Sequence, residues 1–216
     1  MWYVRSCRRR FVPVGTKENG GSYPQKGARR VAIYHCSIKV ISRGKGKSAV
    51  AAAYRAGEKI TNEFDGMTHD YTHKGGVVHT EILLPDHAPA AFSDRAVLWN
   101  EVEKIEKAKN AQLAREIEIA LPRELTRGQG ISLVREYVKR HFVAAGMCAD
   151  VCLHDTGGGN PHAHIMLTMR PFDEDGEWGA KQKKEYILDR DGNKIYDPKK
   201  RWRSAASAPN LTGKSK

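Results

Sequence analysis

The chain has 216 residues, 40% hydrophobic and 29% charged, with 37 Lys and Arg against 25 Asp and Glu for a net charge of +12. That length supports one domain with a sizeable core plus tails, and no apolar run approaches the ~20 residues of a membrane helix, which argues against membrane insertion. Arg8-Arg9-Arg10 is followed by no apolar segment, so no secretory signal is read. The cytoplasm is therefore the expected location, with Cys7, Cys36, Cys148 and Cys152 as thiols.

Residues 1–30 mix Arg, Gly, Pro, Ser and Lys without periodicity, and are expected to form a disordered basic extension. They carry eight Lys and Arg against one acid, a net +7. Order is expected from Val31. Ala32–Ile41 alternates, with Tyr34, Cys36, Ile38 and Val40 on one face and His35, Ser37 and Lys39 on the other, and predicts a strand. Arg43-Gly-Lys-Gly-Lys47 is a basic loop. Ser48 is placed to cap a helix through Ala49 and Tyr54 that ends near Gly57. Thr68 to Leu84 predicts a hairpin turning at Gly75-Gly76. Ser93 to Ala108 predicts an amphipathic helix capped by Ser93, and Leu113 to Leu121 another strand. A helix is expected from Thr126 to near Gly146. Ala149–His154 and His162–Met169 then form a strand pair. Tyr186 to Tyr196 resembles a small hairpin turning at Asp191-Gly192-Asn193. Residues 204–216 read as a flexible tail, and the segment 199–216 carries six basic residues and no acid, or +6. Residues 31–198 are left near neutrality, at −1. Helices and hairpin-linked strands without internal repeats imply an α+β fold with an antiparallel sheet.

The densest chemical signal is His154-x7-His162-x-His164. His162 and His164 are two residues apart, so on a strand both imidazoles share a face. Asp155 to Pro161 contains Gly157-Gly158-Gly159 and Pro161, which suit a tight reversal that returns His154 beside the pair. Three converging imidazoles make a divalent-metal site with room for substrate oxygens. Cys148 and Cys152 lack a second cysteine pair and are read as strand residues rather than zinc ligands.

Within the core, Lys39, Arg43, Lys45, Lys47 and Arg55 lie in a stretch, Val31 to Gly57, that holds no acid. This is a candidate phosphate-binding cluster, although a solvated face has the same composition. Gly46-Lys47-Ser48 between strand and helix invites a nucleotide-binding P-loop reading. That motif needs a glycine where Ile41 stands, so the loop is read as an approach for a phosphate without a nucleotide cradle. Tyr54, in an alanine-rich helix flanked by basic residues, is a candidate nucleophile; its hydroxyl needs positive charge or a metal-polarised target at neutral pH. Glu116 and Glu118 share a strand face opposite Ile117, Ile119 and Leu121. An ordinary half-solvated sheet looks the same; beside the histidines, a carboxylate there orients an imidazole or takes a proton.

Four segments together resemble one family: Ala32-Ile-Tyr-His35, Ser48-Ala-Val-Ala-Ala-Ala-Tyr-Arg55, Glu116-Ile-Glu-Ile-Ala-Leu-Pro-Arg-Glu-Leu125 and Gly158-Gly-Asn-Pro-His-Ala-His-Ile-Met166. Their order is similar to that of the MobA/MobL-type relaxases, plasmid-mobilising nickases of the HUH endonuclease class. The resemblance runs from about Val31 to Arg203, and the histidine motif is its most specific part. It implies a relaxase domain over 31–203, with a central antiparallel sheet of about five strands flanked by helices. It further implies site-specific nicking of single-stranded DNA at a transfer origin through a 5′-phosphotyrosine. By position Tyr54 matches the nucleophile, and His154, His162 and His164 match the ligands of Mg²⁺ or Mn²⁺. Glu116 and Glu118 fall on the acidic strand, and the basic cluster becomes a DNA-binding candidate. Relaxosome accessory proteins and the conjugation coupling machinery are the implied partners. A rolling-circle replication initiator of the same class and an inactive DNA-binding remnant are the alternatives; a tyrosine that precedes the histidine motif favours the relaxase. The chain departs from the family pattern at both ends. Members generally begin near the first strand, often as Met-Ala-Ile-Tyr-His, and continue past this length. The expectations are therefore a start at Val31 and a missing C-terminal region.

Overall fold

The computed structural model describes residues 35–45, 47–182 and 186–194. The expected extension 1–30, the start at Val31 and the tail 204–216 lie outside them. The described residues fall in two compact units, divided between Gly179 and Ala180.

The larger unit is built on a five-stranded antiparallel sheet. Its strands are β1 (Cys36–Ser42), β4 (Val77–Leu83), β5 (Gln112–Ala120), β6 (Ala149–His154) and β7 (His162–Thr168), in the order β1-β5-β7-β6-β4. Each pairs where its side chains alternate, as the period of two requires. Helix α3 (Arg127–His141) covers one face, with Val134 and Val138 packed on Ile117, Val151, Ile165 and Leu167. On the other face a 3-10 turn (Ala49–Ala51), α1 (Ala52–Ala56) and α2 (Arg95–Ile105) enclose a second core. There Leu98, Trp99 and Val102 meet Ile41, Ala114 and Met166. The result is the expected α+β architecture with helices on both faces. Ile38 and Val40 stay exposed because β1 lies at the sheet edge.

Local signals explain the helix ends. Ser48 caps the turn that leads into α1, accepting from the Val50 amide at 3.1 Å, and Gly57 closes α1 at φ 68°, a left-handed conformation that costs glycine little. Thr126 and Gln129 form a reciprocal capping box on α3. The expected cap of α2 needs correction. Ser93 ends a preceding 3-10 turn, and Asp94 accepts from the Val97 amide at 3.0 Å instead, since a carboxylate one residue closer to the helix suits its amides better.

The expected 68–84 hairpin is also corrected. β3 (Thr68–Asp70) pairs with β2 (Lys59–Thr61), a strand the sequence pattern had not marked, and β4 pairs with β6. Gly76, at φ 84°, turns the chain from one sheet to the other, and its carbonyl accepts from the Asp155 amide at 2.8 Å. A side chain there would meet the Thr156 methyl at 2.8 Å, so the turn next to the β6–β7 loop needs glycine. In the smaller unit the expected turn at 191–193 forms, with Leu188 bridged to Lys194 and the Asp189 carboxylate accepting from the Asp191 and Asn193 amides. Among the described residues no helix is long and apolar enough to cross a membrane.

Candidate metal and nucleophile site

The hairpin of β6 and β7 assembles the histidines. His154 ends β6, His162 begins β7, and the two are direct cross-strand partners; His164 follows on the same face. Ring centroids lie 5.3 Å apart for His154 and His162, 4.7 Å for His154 and His164, and 5.1 Å for His162 and His164. One ring nitrogen of each lies within 4.8 Å of the others.

A protein oxygen anchors every ring. The Arg55 carbonyl accepts from His154 Nε2 at 2.6 Å, the Asn160 carbonyl from His162 Nδ1 at 2.9 Å, and Glu116 Oε1 from His164 Nδ1 at 3.0 Å. Each anchored nitrogen faces an acceptor and so donates, which makes the other ring nitrogen the one available to a metal. Burial, together with the positive charge of Lys74, pushes His154 down to about 4 against the opposing Arg55 hydrogen bond, so its ring is neutral at pH 7. Three oriented imidazoles fit a divalent transition cation better than a hard alkaline-earth ion.

Glu116 and Glu118 share a face, as expected, but their surroundings differ. Glu116 is buried between His164 and the Arg55 guanidinium, whose Nε and second terminal nitrogen donate to its two oxygens at 2.6 Å each. Burial alone raises its carboxyl, yet hydrogen bonds from His164 and Arg55 outweigh that and hold it well below the carboxylate range. Glu118 stands nearer solvent, accepts from Lys39 Nζ at 3.0 Å, and is lowered chiefly by that bond.

Tyr54 sits in α1, one residue before the Arg55 group that holds both His154 and Glu116. Its ring is half exposed. The Tyr71 ring meets it edge-on at 5.1 Å, and Lys74 Nζ lies 3.8 Å from its centroid. Tyr54, Glu116 and the three histidines are thus gathered at one end of the sheet through Arg55.

The basic cluster does not stay together. Arg55 is held inside the site. Arg43 donates to the Glu103 carboxylate and to the carbonyls of Glu103, Glu106 and Ala108, and stacks on Phe64. Lys39 is paired with Glu118, whereas Lys47 is exposed. The backbone of Lys45 ends the short 3-10 turn Arg43–Lys45; its side chain lies outside the described residues. Tyr71 and Lys74, in what the sequence pattern presents as a plain hairpin arm, also reach this site, and Arg123 packs against Gly159 in the β6–β7 loop; none of the three carries a local signal. A cavity of about 180 Å³ beside that loop is lined by Val78, Leu121, Arg123, Arg127, Leu153 and His154, so cationic surface borders the triad from the α3 side as well.

Comparison with known chains shows the family. The chain belongs to the MobA/MobL family, whose profile matches residues 47–212. It is 46% identical over 176 residues to the conjugal transfer protein TraA of Agrobacterium fabrum, an alignment that covers 76% of this chain and 16% of TraA. The mobilization protein MobL of Acidithiobacillus ferridurans is 44% identical over 177 residues, covering 70% of this chain and 46% of MobL. The chain therefore spans less than half the length of either relative. A solved structure described as "Molecular Basis of Vancomycin Resistance Transfer in Staphylococcus aureus" is similar, with a TM-score of 0.66 and 37% identity. That match covers 70% of this chain and 78% of the other.

Proposed function

We propose that this chain is a relaxase domain, a site- and strand-specific nickase of single-stranded DNA at a plasmid transfer origin. The observation that carries the reading is the Arg55 junction. Its carbonyl accepts from His154 and its guanidinium grips Glu116, which orients His164, so the Tyr54 helix and the histidine cluster are one assembly. The similarity to TraA and MobL supports the same role.

In this reading Tyr54 Oη attacks the scissile phosphorus in line. The Tyr54–phosphorus bond forms as the bond to the 3′ oxygen breaks, and the tyrosyl proton ends on the departing strand as a 3′-OH. The 5′-phosphotyrosine keeps the phosphodiester's energy, so a 3′-OH rejoins the strand by the reverse step without ATP. His154, His162 and His164 would hold a divalent cation, Mn²⁺ in preference to Mg²⁺ on ligand softness, which when bound would supply Lewis acidity at the scissile phosphate. Glu116 keeps His164 in the ligating tautomer, and Arg55 keeps Glu116 ionised. Glu118, paired with Lys39, lies directly across from His164 in the sheet, and exposed Lys47 offers a phosphate contact.

The test is an oligonucleotide that carries the element's own transfer origin. Tyr54→Phe is expected to bind it with native affinity and to form no covalent adduct in denaturing electrophoresis. An adduct in that variant transfers the nucleophile role to another residue, and metal-dependent nicking by the native chain separates the enzyme from an inactive DNA-binding remnant.

A further inference from the structure

Tyr54 is half exposed, and an exposed aromatic ring ordinarily samples several rotamers, which disfavours in-line attack. Here the turn from Tyr71 to Lys74 closes on it from two sides. The turn is itself fixed, because the Lys74 amide donates to the Tyr71 carbonyl at 2.9 Å. Tyr71 presents its ring nearly perpendicular to that of Tyr54, at 87° and 5.1 Å. Lys74 places its ammonium 3.8 Å from the Tyr54 ring centroid and also donates to the Tyr54 backbone carbonyl at 2.8 Å. That carbonyl is among the last of α1, where helix carbonyls lack intrahelical partners and attract positive charge. One ammonium therefore holds both the main chain and the ring of the same residue.

We propose that Lys74 is a positioning residue for the reaction: it clamps Tyr54 for attack and lends positive charge to its oxygen when that oxygen leaves as phenolate during rejoining. The inference rests on Tyr54 being the nucleophile. A cation over the face of a tyrosine is attracted by the ring and more strongly by a phenolate. In the rejoining step a 3′-OH attacks phosphorus, the phosphorus–Oη bond breaks, and the phenol recovers the proton the hydroxyl gives up. The charged groups that face Tyr54 support the assignment: Lys74 is over the ring, Arg55 follows in the helix with its guanidinium committed to Glu116, and Tyr71 contributes an uncharged edge.

Four proteins decide the matter: the native chain and the Lys74→Met, Lys74→Arg and Tyr54→Phe variants. Single-turnover cleavage and rejoining are measured with saturating oligonucleotide and Mn²⁺, and DNA affinity separately by fluorescence anisotropy. Lys74→Met is expected to slow both steps about tenfold or more while its dissociation constant moves less than about threefold; Lys74→Arg, which keeps charge and donor, is expected to restore most of the rate. Its melting temperature is expected to match that of the native chain, which separates positioning from folding. Native rates in Lys74→Met overturn the proposal. So does a weakened affinity with an unchanged saturated rate, the behaviour of a plain phosphate contact, and so does failure of the arginine variant to outperform methionine. An adduct in Tyr54→Phe overturns the nucleophile assignment instead, and is read from a different protein.

Discussion

His164 shows how much of the site rests on a single contact, because Glu116 Oε1 holds its Nδ1 at 3.0 Å and so fixes which nitrogen is free. Glu116→Gln is expected to weaken metal binding about tenfold in calorimetric titration, the usual cost of altering a group that orients a ligand. His162→Ala or His164→Ala is expected to lose more, with affinity and cleavage falling together while the circular dichroism spectrum is retained. Unchanged divalent-ion dependence in both alanine variants removes these residues from the ligand set. Glu116 also sets a pH dependence. Burial opposes its ionisation, but His164 and Arg55 hold its carboxyl below the unperturbed value of 4.5, so the unfolded chain binds the proton more readily. The resulting stability is complete above pH 4.5 and is lost as pH falls through the lower folded value. Urea midpoints measured from pH 7 downward are expected to drop below that point, and less steeply in Glu116→Gln.

At the scale of elements, the join between α2 and β6 depends on charges buried behind the histidines. The Asp150 carboxylate accepts from Arg95 at 2.8 and 2.9 Å and from Trp99 Nε1 at 2.9 Å, while Arg95 also pairs with Glu58, just beyond α1. This network ties the end of the tyrosine helix to the strand that carries His154. Asp150→Ala leaves Arg95 buried without its main partner, and is expected to cost about 3–5 kcal/mol in urea denaturation. A paired apolar replacement of Asp150 and Arg95 is expected to cost less, since no charge is then stranded. Neither the network nor strand β2 was legible beforehand. Arg95 and Asp150 are 55 residues apart, each unremarkable in its own segment. Lys59–Thr61 is only three residues long and gains its pairing from β3 rather than from any pattern of its own. The 68–84 segment misled because Gly75-Gly76 is equally good at reversing a hairpin and at passing the chain between two sheets.

At the scale of the molecule, charge is distributed unevenly along the chain. Residues 1–30 hold +7 of the total +12. A chain that begins at Val31 is expected to show weaker nonspecific DNA binding, with a log–log salt slope shallower by about 0.7 for each single-strand phosphate contact given up. Anisotropy titrations at several salt concentrations measure this, and an unchanged slope places the nonspecific contacts elsewhere. The sequence by itself determined the elements whose signals are local: the alternation of β5, the strand pair of β6 and β7, the Ser48 cap, the start of a helix at Thr126, and the glycine-rich reversal that pairs His154 with His162. It also determined the histidine triad, because a period of two and a short hairpin leave those side chains one arrangement. Tertiary structure alone decided the order β1-β5-β7-β6-β4, the separation of Arg43 from Arg55, and the clamp of Tyr71 and Lys74 on Tyr54. These depend on contacts between distant segments, where burial and charge pairing select one partner among several that the local pattern permits equally.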